Sequence, residues 1–175
     1  GYSQNTTANE GGEPQSYHWE QRTIRVSYGT GYSKEARETP SRGEYIYTVG
    51  PDSVGATAIM CFGGIPQAVV ATTNDPIRPS LMEALKKTKG RYIHPTVKIN
   101  DDEISESRWT YRPKAKLAIP HDANVTRKIY NAAIRGDTVS IDISGKGSFS
   151  LILPKPNVNF ADFGAECGMG RNRKE

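Results

Sequence analysis

The chain has 175 residues, a formal net charge of +4 and a sequence pI near 9.0. A chain of this size is most simply one domain, large enough to bury a core without help from metals or several disulfides. With 35% hydrophobic residues and a mean hydropathy of −0.63, it is polar, and no apolar run approaches the ~20 residues of a membrane-spanning helix.

Residues 1–17 carry no aliphatic side chain larger than alanine, and Gly168 to Glu175 reads GMGRNRKE. Neither can bury enough apolar surface to offset its ordering entropy, so both are expected to be flexible tails around a single domain at residues 18–167. Within that domain, short β-prone runs alternate with turn residues. Trp19 to Tyr28 alternates at Ile24, Val26 and Tyr28, as a half-buried strand should. Glu44 to Val49 and Val54 to Phe62 follow, and Gly63-Gly64 offers a tight connection into Ile65 to Thr73.

Ser80 with Glu83 has the spacing of a capping box, and Gly90 closes a helix over roughly 80–89. Tyr92 to Asn100, Arg108 to Arg112 and Lys116 to Ile119 read as strands. A second helix is expected over about 124–135, with Val125, Ile129 and Ala132 on one face and Gly136 after its end. Thr138 to Ile143 and Ser148 to Leu153 form the last hairpin, and Ala161 to Glu166 allows a short helical turn. The fold class expected is mostly β, a single antiparallel β-sandwich with two short helices.

Chemistry-bearing patterns are sparse. His18, His94 and His121 share no metal-ligand spacing and there is no CxxC, so no metal or cofactor is called for. Gly29-Thr30-Gly31 and Gly145-Lys146-Gly147 lack the strand-to-helix context of a phosphate loop and read as hairpin turns. Asn100-Asp101-Asp102-Glu103 lacks the ligand alternation of a calcium loop and reads as a solvated turn. Lysines and arginines cluster at Lys86, Lys87, Lys89 and Arg91, and again at Arg112, Lys114 and Lys116. Without the interleaved aromatics of an RNA-recognition motif, these read as solvated faces, and no specific nucleic-acid partner is expected.

Two cysteines remain. Cys61 lies inside a β-prone run and lacks the surroundings of a papain-like or caspase-like nucleophile. An even count, an apolar setting for Cys61 and a position after a terminal amphipathic turn for Cys167 favour one disulfide. Two buried free thiols are the first alternative and a catalytic Cys61 the second. The nine tyrosines crowd toward the first 50 residues, and Tyr28, Tyr32, Tyr45 and Tyr47 are the candidate binding face, since a tyrosine ring packs while its hydroxyl stays wet.

The second half also carries an ordered series of patterns. AIMC is followed by QAVVATTN, VKINDDEISESRWTY, a helix ending in IRGD, TVSIDIS, SFSLILP and a closing FADFGAEC. Over residues 54–167 this order resembles bacterial cell-envelope proteins of the invasion-associated locus B type and accessory periplasmic proteins of type VI secretion. The chain departs from that pattern at Asn74 to Arg91. The resemblance implies an extracytoplasmic β-sandwich without catalytic residues, periplasmic or secreted, with Cys61 and Cys167 as its cysteines and Trp109 as a core anchor. The leading expectation is therefore a non-enzymatic binding or accessory protein engaging a protein or cell-envelope partner. The alternatives are an envelope-polymer hydrolase drawing on Asp101, Asp102, Glu103 and Asp137, and a structural subunit of a virion or secretion apparatus.

Overall fold

The computed structural model describes residues 17–26, 41–51, 54–73, 89–104 and 107–169. Its strands are β1 (His18–Val26), β2 (Ser41–Val49), β3 (Thr57–Phe62), β4 (Ile65–Ala71), β5 (Arg91–Ile93), β6 (Thr96–Ile99), β7 (Asp102–Glu103), β8 (Trp109–Arg112), β9 (Leu117–Pro120), β10 (Val139–Ile143) and β11 (Gly147–Ser150). The helices are α1 (Ala123–Arg135) and α2 (Val158–Cys167). A seven-stranded sheet runs in the order β1-β2-β3-β4-β9-β8-β5, and a four-stranded sheet in the order β11-β10-β6-β7. Every pairing is antiparallel. The chain is thus mostly β, with two sheets that share one core in the manner of a sandwich.

Register follows from the pleat. On one face of the larger sheet, Ile46 opposes Ile59 and Ile59 opposes Ala68. These side chains meet Val97, Val139 and Ile141 of the smaller sheet in the main core. The neighbouring positions point the other way: Tyr45 opposes Met60, and Ala58 opposes Val69, in a second buried cluster with Tyr47, Leu117 and Ile119. Because both faces of the central strands are buried, TAIMCF reads as a continuous apolar run rather than an alternating one.

The helices cover the main core. Val125, Ile129, Ala132 and Ala133 fall on one side of α1 at the helical period. Asp122 caps its first turn by accepting from the Asn124 amide at 2.8 Å. Gly136 ends it at φ 75°, a left-handed conformation that glycine adopts without steric cost. The Ala68 amide donates to Thr126 Oγ1 at 2.9 Å, tying this helix to β4. In α2, Phe160 and Phe163 are fully buried, each contributing about 1.5–3 kcal/mol of apolar burial. Phe160 lies between Trp19, 5.0 Å away between ring centroids, and Tyr130, stacked at 4.6 Å. Trp19 Nε1 donates to the Pro154 carbonyl at 2.8 Å, and its own carbonyl accepts from Asn157 and Asn159.

The structure departs from the sequence reading in three places. The strand expected over Tyr92 to Asn100 is two strands, β5 in the larger sheet and β6 in the smaller. Pro95 has no amide hydrogen and restricts His94, so the ladder breaks there and the chain changes sheets. The terminal helical turn is a ten-residue helix, because Asn157 caps it by accepting from the Phe160 amide at 3.0 Å. Asn100 to Glu103 is the expected turn, with Asn100 at φ 55°, but it also starts the two-residue edge strand β7. The helix expected over 80–89 lies almost wholly outside the described residues, as do 1–16 and 170–175 from the expected tails.

Candidate functional site

Cys61 and Cys167 form a disulfide across 106 residues, with Cα atoms 5.9 Å apart. It joins an inner strand of the larger sheet to the last turn of α2, and both cysteines are buried. A shallow cleft of about 320 Å³ opens beside it, lined by Gly43, Glu44, Gly63, Gly64 and Glu166. Gln21 Nε2 donates to Glu44 Oε1 and to Glu166 Oε1, at 3.3 Å each, and the Thr23 hydroxyl donates to Glu44 Oε1 at 3.3 Å. Glu44 is therefore a buried carboxylate that accepts from Gln21 and Thr23 beside a bonded pair of sulfurs. With Cys61 oxidised, this cleft offers no thiolate nucleophile.

Trp109 is fully buried in the main core. Tyr45 and Tyr47 are 0% and 5% exposed and stack with ring centroids 4.9 Å apart. Neither offers a ring to solvent, because the central strands of the larger sheet are buried on both faces. Burial, and then the neighbouring Tyr47, push the Tyr45 phenol far above its ordinary range. Tyr28 and Tyr32 lie outside the described residues. Asp101, Asp102 and Glu103 project into solvent from their turn. Asp137 accepts from Arg135 Nε at 3.0 Å, and that bond, with a second from Asn100, holds its carboxyl below the usual range. Among the described residues, no group of three or more His, Cys, Asp or Glu is placed to hold a metal ion. No helix among them is long and apolar enough to cross a membrane.

A second region takes shape at the β5 edge of the larger sheet. Tyr92 opposes Thr110 on β8 and is 64% exposed. The Arg108 guanidinium lies 4.5 Å from the Tyr92 ring centroid, and His121 meets the same ring edge-on at 5.4 Å. His121 is itself fixed by a 2.6 Å hydrogen bond between its Nε2 and the Thr110 hydroxyl. A cleft of about 290 Å³ lies here, lined by Gly90, Arg91, Tyr92, Thr110 and Arg112. One residue along β5, the pleat turns Arg91 to the opposite face, beside Tyr111. There Arg91 sits 5.5 Å from the Tyr111 ring centroid, and Lys146, from the β10–β11 turn of the other sheet, sits 5.2 Å from it. Arg91, Arg108 and Lys146 make no ion pair among the described residues.

Cations held over aromatic faces gain roughly 0.5–1 kcal/mol at exposed sites. Such contacts fix the guanidinium and ammonium groups without neutralising them. The region can therefore bind an anionic, partly apolar group, with the His121 imidazole and the Thr110 hydroxyl hydrogen-bonded beside it. The residues that build it were not singled out as a binding face by the sequence. The available signal was the basic–aromatic alternation in Arg91-Tyr92 and in Arg108-Trp109-Thr110-Tyr111-Arg112. Lys146 joins them only through the packing of the two sheets.

Protein-family models, curated proteins and solved structures include none that matches this chain.

Proposed function

We propose that this chain is an extracytoplasmic, non-enzymatic binding or accessory module that engages a protein or cell-envelope partner. The observation that carries this reading is the exposed Tyr92 ring, held by Arg108 and His121 at the end of a sheet. Tyrosine and arginine are the residues most favoured at recognition surfaces, because they supply large contact area together with directed polar groups. The Cys61–Cys167 disulfide supports the compartment, since such bonds persist in oxidising surroundings and are rare in reducing ones.

The test is a photo-reactive amino acid placed at position 92 in the protein as its native cells make it. The expected result is a discrete macromolecular adduct from position 92 and none from position 162, which is exposed on α2. Adducts of equal yield from both positions, or from neither, would overturn the proposal.

A further inference from the structure

The arrangement of charge around β5 narrows the kind of partner. Among the described residues β5 pairs only with β8, so the outer side of Arg91–Ile93 presents backbone amides and carbonyls with no strand partner. An unpaired edge is a template for another extended chain. The cations at this edge are not all on one face. Arg108 lies with Tyr92 and His121 on the face of Thr110, while Arg91 and Lys146 lie with Tyr111 on the opposite face. A flat anionic surface or a polymer lying across one side of the sheet would meet only one of these groups. An added strand meets both, because its successive side chains point alternately to the two faces.

We infer that the β5 edge receives an extended acidic segment of a protein partner as an additional strand. The inference rests on the binding reading above and names the partner's chemistry. Main-chain hydrogen bonds to Arg91–Ile93 supply the alignment. Acidic side chains on one face of the incoming strand meet Arg108, and those on the other meet Arg91 and Lys146. Gathering three cations at one edge with no acidic partner among the described residues is otherwise unfavourable, and an incoming pair of carboxylates removes that repulsion. The strand stays short because Pro95 ends β5, so affinity depends on the charges as well as on the ladder.

The test uses the full chain and a labelled heptapeptide of sequence TEEVEET, which as a strand places glutamates on both faces. Fluorescence anisotropy is expected to show saturable binding that weakens as ionic strength rises from ~0.05 to ~0.5 M. Arg91→Ala and Arg108→Ala are each expected to weaken binding roughly three- to tenfold without changing the melting temperature. N-methylation of alternate peptide amides is expected to abolish binding in at least one of the two phases, since it removes donors from the ladder.

Several results would overturn the inference. One is no saturable binding up to about 1 mM peptide, the weak end of measurable recognition. Another is equal binding of both N-methylated peptides and the parent. Polyphosphate that binds more tightly than the peptide, with N-methylation having no effect, would assign the edge to an anionic polymer. Self-association lost in Arg91→Ala and Arg108→Ala would assign it to the acidic β7 edge of a second copy. If the position-92 adduct persists while the peptide fails, strand addition is wrong and the binding module stands. If both fail, the underlying reading falls as well.

Discussion

Reducing the Cys61–Cys167 bond changes no side-chain identity and removes the covalent closure of a 106-residue span. The native state should hold its shape, because α2 stays anchored by buried Phe160 and Phe163 and by the Asn157 and Asn159 bonds to the Trp19 carbonyl. The cost then falls on the unfolded chain, which regains the entropy of an open loop. For a loop of this length the chain-entropy relation gives about 5 kcal/mol. That is a large share of the ~5–15 kcal/mol that stabilises an ordinary domain, and it converts to a fall of roughly 10–20 °C in melting temperature.

Urea denaturation with and without reductant, followed by tryptophan fluorescence, is the appropriate assay. Besides the lower midpoint, the reduced protein should show a steeper dependence on urea, because its unfolded state is more expanded and exposes more surface. The Cys61→Ala/Cys167→Ala double variant separates any packing loss, since reduction keeps both sulfur atoms in the core. A reduction penalty below about 1.5 kcal/mol with an unchanged slope would refute the argument.

Three further outcomes follow from particular contacts. A Cβ at Gly164 would overlap the Tyr130 hydroxyl, so Gly164→Ala should destabilise by about 1–3 kcal/mol in urea melts. Adding Tyr130→Phe should recover part of that loss, and strict additivity of the two changes would show that the hydroxyl is not the obstacle. Asn157→Ala removes both the cap of α2 and one bond to the Trp19 carbonyl, and should cost about 1–2 kcal/mol by the same measurement. Tyr45 should stay protonated well above pH 10 in the folded protein, as followed by ultraviolet absorbance. Because its folded pKa is raised, the unfolded chain releases this proton first. The stability it contributes is intact below about pH 10 and lost progressively above it, so an alkaline stability curve flat through that range in wild type but not in Tyr45→Phe would contradict the assignment.

The class of fold was legible in the sequence because its signals are local. Strand periodicity at Val139, Ile141 and Ile143, the paired glycines at 63 and 64, and the terminating Gly136 each act within a few residues. The cysteine pairing was readable for a different reason, since with only two cysteines there is one intramolecular partner to choose. The candidate binding face was not readable. Tyr45 and Tyr47 have the composition of a recognition surface, yet alternation cannot reveal whether the second face of a strand is covered. Arg91, Arg108 and Lys146 come from β5, the residue before β8, and the β10–β11 turn. They converge because Pro95 breaks the expected strand and sends β5 and β6 into different sheets. The sequence by itself marked most of the described strands and the helix at Ala123–Arg135, which depend on neighbours along the chain, and left each cysteine a single intramolecular partner. Only the tertiary structure decided which faces are buried and where the charges meet, because those depend on residues that sequence separation keeps apart.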